Sequence, residues 1–290
     1  MKITGFTIAR NVVKFDYPIV EAIISILPIC DEFVVAVGKS DDATLELIRG
    51  IDSPKIQILE TVWDDSLREG GRVLAVETDK ALAAVSPDTD WAFYIQGDEV
   101  LHEKYLPIVR EAMERYLGQP EVEGLLFNYL HFYGSYRYVG DSRAWYRREI
   151  RVVRHTGRVR AYRDAQGFRT VDNQKLCVKL IDAAVYHYGW VRPPEVQRQK
   201  IADSARFWND ETSLEKKRDD LEGFDYSQID SLALFEDTHP AVMQDRVARF
   251  DWAFDFDLLQ KRLSLKNRIL QWVLQKTGWM PFEYRNYRLF

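Results

Sequence analysis

Residues 91–100 read W-A-F-Y-I-Q-G-D-E-V. An apolar strand runs straight into Gln96, Gly97, Asp98 and Glu99, and the segments before it show what kind of sheet it belongs to. Residues 3–9 are expected as a first strand. Asp16 is placed to cap a helix with Pro18 in its first turn and Ile19, Val20, Ile23, Ile26 and Leu27 on one apolar face, stopped by Pro28. Residues 33–37 predict a second strand, of the type buried on both faces, and 41–49 a short helix closed by Gly50. A third strand over 55–59, a turn at Gly70-Gly71 and a helix to about residue 84 lead to the fourth strand over 91–95. A helix over about 103–117, ended by Gly118, then precedes a strand near 125–130. Strands and helices alternating at these intervals predict a parallel α/β sheet, not a sandwich or a bundle.

From His131 the pattern changes. About sixty residues rich in Tyr, Arg and Trp suggest a lobe built onto the sheet, and beyond Pro193 the chain reads mostly helical, with mixed charges through 195–221 and a Trp/Phe-rich block near 250–256. The expected division is 1–130 as an α/β core, 131–205 as a substrate-side lobe and 206–290 as a helical extension. With 46% hydrophobic and 29% charged residues in 290, the chain has the composition of an ordinary globular protein with a sizeable core. A net charge of -5 argues against a protein that coats nucleic acid. Residues 258–290 nevertheless hold seven Lys or Arg and one Glu, which leaves about -11 on the rest. Over 261–276, Lys261, Asn267, Arg268, Gln271 and Gln275 are read as one side of a helix, with Leu263, Leu270, Trp272, Val273 and Leu274 around the rest. Such a helix either docks on the core or rests on an anionic membrane surface. Cys30 and Cys177 have no metal-ligand spacing, and no apolar run reaches the roughly 18 residues of a membrane span. The expectation is a reduced, cytoplasmic protein, with peripheral contact at the inner face of a membrane through 258–290.

Ligands of open α/β sheets bind outside the carboxyl ends of the strands, and those positions are unusually polar here. Ala9, Arg10 and Asn11 end the first strand; G-K-S-D-D-A-T, residues 38–44, follows the second; W-D-D, residues 63–65, follows the third; Gln96 to Glu99 follow the fourth. Ser40, Asp41, Asp42 and Thr44 also read as a turn and helix cap, and Glu99 as a cap behind a structural turn Asp98.

In order and spacing these pieces, with G-G at 70–71, T-D-K-A-L at 78–82 and I-A-R-N at 8–11, resemble the family-2 glycosyltransferases of the GT-A fold over roughly residues 1–205. The W-D-D and D-E pieces look most like the lipopolysaccharide-core β-glucosyltransferase branch. The resemblance implies a Rossmann-like, mixed and mostly parallel sheet flanked by helices, with a C-terminal, mostly helical extension. It implies an inverting transfer of a sugar from a nucleotide diphosphate, UDP favoured, to a hydroxyl of a glycan or lipid-linked acceptor. A divalent cation, Mn or Mg, would neutralise the departing diphosphate. In the family an Asp-x-Asp ends the fourth strand; here Gln96 stands first and Asp98 second, so Asp98 is the expected ligand, joined by His187 of Y-H-Y-G-W. Where the family grips the nucleobase with an Asp after the second strand, this chain has Ala36, Val37 and Gly38, leaving Lys39, Asp42 and Asp65 as substitutes, while Asp79 falls where the family has an Asn or Asp near the nucleotide. Ala9, Arg10, Asn11, Gly38, Ser40, Gly71, Gln96, Gly97, Asp98 and Arg192 complete the expected donor contacts, and Lys200 is a further candidate for phosphate oxygens. An inverting transfer needs a carboxylate base. Asp164 lies in the family's neighbourhood for it, with Asp172 and Glu149 as alternatives, Glu149 being more simply an ion-pair partner of nearby arginines. His131, Tyr133, Tyr136, Trp145 and Trp190 offer faces to sugar rings or to one another. Two other readings stand beside this one: a GT-A-like module that binds nucleotide sugar or glycan without transferring it, and a nucleotidyltransferase, against which Arg10-Asn11 speaks.

Overall fold

The computed structural model describes residues 1–209, 213, 224–259 and 261–290. Strand β1 (Ile3–Ala9) lies between β2 (Glu32–Gly38) and β4 (Trp91–Tyr94), with β3 (Ile56–Thr61) outside β2, and all four run parallel. Alternate residues of these strands feed two apolar layers. Ile3, Phe33, Val35, Trp91 and Phe93 meet α1 (Ile19–Ile26) and α4 (Leu106–Tyr116) on one face. Phe6, Val34, Ala36, Ala92 and Tyr94 meet α3 (Arg72–Ala83) on the other. Burial on both faces is why these strands read as continuous apolar runs. The short α2 (Thr44–Arg49) sends Ile48 into the first of these layers.

Several local expectations are corrected. Asp16 does not cap α1; its φ is +48° and its carboxylate accepts from Arg246, while Pro18 takes the N-cap position. Pro28 falls inside a 3-10 turn, Leu27–Ile29, that prolongs α1. Behind Gln96-Gly97-Asp98 comes a further strand, β5 (Glu99–Leu101), so Glu99 is a buried strand residue and not a helix cap.

Past β4 the sheet turns antiparallel. β6 (Gly124–Tyr133) and β8 (Arg148–Arg154) extend it, with β7 (Tyr138–Gly140) and β12 (Leu232–Leu234) at the far end. A hairpin, β9 (Val159–Tyr162) and β10 (Gly167–Thr170), stands apart from this sheet. The fifteen-residue β11 (Leu176–Trp190) runs parallel to β6, takes β5 antiparallel near its end, and pairs with the terminal β13 (Tyr287–Leu289) near its start. Helices α5 (Pro194–Ala205), α6 (Gln244–Ala248) and α7 (Leu265–Thr277) make up the helical part of the extension. The α/β class, with helices on both faces of a mixed sheet and a C-terminal helical extension, is the one expected. Of the helical expectation over 195–221, residues 210–212 and 214–221 lie outside the described residues. Among the described residues no helix is long and apolar enough to cross a membrane, and both cysteines are free.

Candidate active site

The polar strand ends open onto one cleft of about 530 Å³, walled by α5 on one side and by the turn between β9 and β10 on the other. Its floor is set by strand register. β5 pairs antiparallel with β11 so that His187 stands opposite Glu99, and the Tyr188 amide donates to the Asp98 carbonyl at 2.7 Å. Asp98 Oδ1 therefore comes within 3.7 Å of His187 Nε2. A side chain at position 189 would collide with both, its Cβ lying 2.6 Å from the imidazole and 2.9 Å from Asp98 Oδ2, so the Gly of H-Y-G-W is what lets them meet.

β6 lies beside β11 with His131 opposite His187, and their Nδ1 atoms are 3.1 Å apart. His131 Nε2 faces the Tyr146 carbonyl at 2.8 Å, and a carbonyl only accepts, so the His131 proton is on Nε2. His131 Nδ1 is then the acceptor, His187 Nδ1 the donor, and His187 Nε2 is left as a bare lone pair beside a carboxylate. Burial keeps both rings neutral, lowering His131 to about 3 and His187 to about 4.

Two cations share this corner. Lys200 Nζ is 3.4 Å from Asp98 Oδ2 and donates to the Gly189 carbonyl at 3.0 Å. Arg192, fully buried, gives Nε to the Phe15 carbonyl and Nη1 to that of Gly189; its Nη2 has no hydrogen-bond partner and lies 3.9 Å from Asp98 Oδ2. Both sit over the Tyr17 ring, at 4.5 and 4.9 Å. Burial would raise the Asp98 carboxyl, but Lys200, His187 and Arg192 together hold it well below its ordinary range. Burial and Arg192 lower Lys200 to about 7, against the pull of Asp98.

Gln96 lines the cleft with its amide nitrogen already engaged. Its Nε2 donates to the Ala165 carbonyl at 3.2 Å, tying the strand end to the turn that holds Asp164. A carboxylate there would confront that carbonyl, which accounts for an amide in this position. The turn is tightly made, with Arg163 and Ala165 at φ +56° and +61°. Gly71, at φ +70°, makes room for it: a Cβ there would stand 2.6 Å from that of Asp164. Asp164, Arg10, Asn11, Gln96, Gly97, Asp98 and His187 all line the cleft.

Other expected donor contacts have structural partners and do not line it. Asp42 accepts from the Lys14 and Thr44 amides; Ser40 accepts from the Asn11 amide and donates to the Gly38 carbonyl. Asp65 forms an ion pair with Arg10 at 2.6 Å, and Asp79 accepts from the Ala161 amide. Ala9 is buried at the end of β1, and Arg192 reaches the corner only through Nη2. Gly38 lies under the indole of Trp63, whose Nε1 would be 2.3 Å from a Cβ at that position, so an aromatic wall stands where the family has its Asp. Of the alternative bases, Asp172 is exposed outside the cleft. Glu149 accepts from Gln166 Nε2 instead of an arginine, because Arg151 is held in a bidentate pair with Glu99 at 2.7 Å. Of the five aromatics expected to offer faces, only Trp190 lines the cleft; Tyr133 and Trp145 pack on each other and on Trp190, and Tyr136 on Tyr188.

Of the wall from α5, only Lys200 was anticipated. Gln197, Lys200, Ile201 and Ser204 of α5 face the cleft at intervals of three and four, a helical stripe hidden among mixed charges, and Trp208 joins them from the turn that follows. Tyr17, Tyr94 and Gln166 are further lining residues without a sequence signature.

No family model and no curated protein matches the chain. Solved structures similar to it include S. aureus TarS 1–349, at 12% identity and TM-score 0.41 over 74% of this chain and 69% of that one. The same protein in complex with UDP matches at 17% and 0.35 over 46% of this chain and 37% of that one. Glucosyl-3-phosphoglycerate synthase from Mycobacterium tuberculosis, in complex with Mn2+, UDP and phosphoglyceric acid, matches at 22% and 0.30 over 45% and 43%. The chain thus spans 37% of TarS in the UDP-bound match and 43% of the synthase. These are likenesses of strand and helix layout, and the functional reading rests on the cleft.

Proposed function

We propose that the protein is an inverting glycosyltransferase that moves a sugar from a nucleotide diphosphate, UDP favoured, to a hydroxyl of a glycan or lipid-linked acceptor by single displacement. The observation that carries this is the corner of Asp98, His187 and Lys200, backed by the fully buried Arg192, which shares one cleft with Asp164. Lys200 and Arg192 are aimed at a site for anionic oxygens, and a diphosphate seated there would gain charge as its bond to the sugar breaks. Asp164 is the base: it takes the proton of the acceptor hydroxyl as that oxygen attacks the anomeric carbon, while the bonding electrons leave with the diphosphate.

The corner also fits a divalent cation. A carboxylate and an imidazole with its lone pair already directed toward that carboxylate make two ligands, and Mg2+ or Mn2+ ordinarily takes the remainder from substrate phosphates and water. Among the described residues no group of three or more His, Cys, Asp or Glu gathers for a metal, so this pair would be the protein's whole contribution to the ion. Asp98 and His187 would hold the ion, which would supply further neutralisation of the diphosphate.

The second reading, a module that binds nucleotide sugar or glycan without transfer, is favoured by one observation. Gln96 is engaged with the Ala165 carbonyl, so the strand end presents a single carboxylate to the cleft. A panel of sugar nucleotides, with Mn2+ or with chelator, separates the two. Transfer predicts donor hydrolysis by the wild type, reduced by at least a hundredfold in Asp98→Ala and in Asp164→Asn, with donor binding retained in the latter. Donor binding with no turnover under any condition would leave the binding module standing.

A further inference from the structure

Helix α7 touches the body through its least expected side. Gln271 is its buried residue, and its amide donates to the Asp141 carbonyl at 2.5 Å; Leu270, Val273 and Leu274 are half-buried beside it. Leu265, Ile269 and Trp272 are 78%, 65% and 60% exposed. Spaced four and three apart, they form one face. Lys266, Arg268 and Lys276 are exposed around that face, and Trp279 and Phe282 follow it, also exposed. From residue 261 to residue 282 the sequence has five Lys or Arg and no Asp or Glu, in a chain of net charge -5.

We propose that this face docks the protein on an anionic membrane. An exposed Leu, Ile and Trp stripe bordered by Lys and Arg is suited to the boundary between acyl chains and headgroups: the apolar side chains enter, and the cations meet lipid phosphate and carboxylate. A second copy meeting this face symmetrically would bring cation against cation, so charge selects the lipid surface over self-association.

The surface lies one loop from the cleft. Residues 141–147 carry Asp141, which holds Gln271, Arg143, which donates to the Pro281 carbonyl, and Arg147, which donates to the Gly278 carbonyl at 3.3 Å. The same loop carries Tyr146, which lines the cleft and anchors His131. Docking through α7 thus brings the Tyr146 side of the cleft toward the bilayer. Its value for a lipid-linked acceptor rests on the transferase reading; the docking itself does not.

The test is sedimentation of the full chain with vesicles of phosphatidylcholine alone or with about a third phosphatidylserine. Association is expected to be at least tenfold stronger with the anionic vesicles and to fall with added salt. Ile269→Ser with Trp272→Ser, and separately Lys266→Glu with Arg268→Glu, should each weaken it at least tenfold without changing thermal unfolding, since all four residues are exposed. A wild type that stays in the supernatant, or variants that pellet like it, overturns the proposal. So does a concentration-dependent dimer abolished by Trp272→Ser, which would assign the face to a second copy. Donor hydrolysis by the same variants without lipid is expected to be unchanged. Vesicle binding by a wild type that hydrolyses no donor would sink the transferase reading alone, and hydrolysis without vesicle binding would sink the docking alone.

Discussion

At Glu149 the protein keeps a carboxyl group where a charge is disfavoured. The side chain is buried in β8, Oε1 accepts from Gln166 at 2.9 Å and Oε2 has no hydrogen-bond partner. Burial raises it from 4.5 to about 8, against the pull of Arg151. Over that window the folded chain keeps a proton that the unfolded chain releases, so the stability Glu149 contributes is complete below about 4.5 and is lost as pH rises through about 8. Glu149→Gln, which cannot ionise, should therefore gain on the wild type as pH rises, by on the order of 4 kcal/mol between the two ends of the window. Denaturant unfolding at both ends checks this; a constant gap would show that Glu149 titrates as an ordinary carboxyl. His131 and His187 act in the opposite sense, costing stability as pH falls from 6.5 toward about 3 and about 4 respectively, but they are common to both proteins and cancel in the difference.

At the scale of elements, the two sides of the cleft are fixed in different ways. The floor is a ladder, β5 on β11 on β6, and the opposite wall is a turn braced by Gln96 and by the glycine pair ahead of α3. Gly70 and Gly71 both have positive φ, so replacing either by Ala costs about 1 kcal/mol in backbone strain. A methyl at 70 meets nothing within 4 Å, whereas one at 71 stands 2.6 Å from the Asp164 Cβ and 3.1 Å from the Trp208 ring. Gly71→Ala should then lower kcat/KM for transfer at least tenfold, while Gly70→Ala retains it. Equal losses in a steady-state assay would mean that the placement of Asp164 does not control the rate. The ladder was only half legible. The doubly buried strands announce themselves through unbroken apolar runs, and His187 was recognisable from H-Y-G-W. β5 has three residues directly behind a strong turn signal, and its pairing with a strand more than eighty positions later leaves no local pattern. The α5 stripe was hidden for another reason: a cleft-facing surface is polar, so its periodicity does not show as hydrophobicity.

Across the whole molecule, the extension closes back on the sheet. β13 covers the edge of β11 at Leu176 and Val178, both fully buried, and Tyr287 is buried with them. Removing residues 287–290 should lower stability by about 2 kcal/mol, the burial of one large side chain, and lower the melting temperature accordingly; an unchanged melting curve would show that the seam contributes nothing. Such a return could not be read from a basic, aromatic tail, since three residues at an edge have no periodicity of their own. The tail helix was legible as a helix, but not which way it faces: Gln271 went in and Trp272 out because the Asp141 carbonyl needed a donor. The ladder under the cleft has one more consequence. Asp98 and His187 are held by backbone pairing, while Trp63, Phe207 and Trp208 project into the same space from segments that make no strand. The metal and phosphate corner proposed above is therefore insulated from that aromatic wall. A lineage could change those three aromatics, one at a time, and never disturb the register beneath.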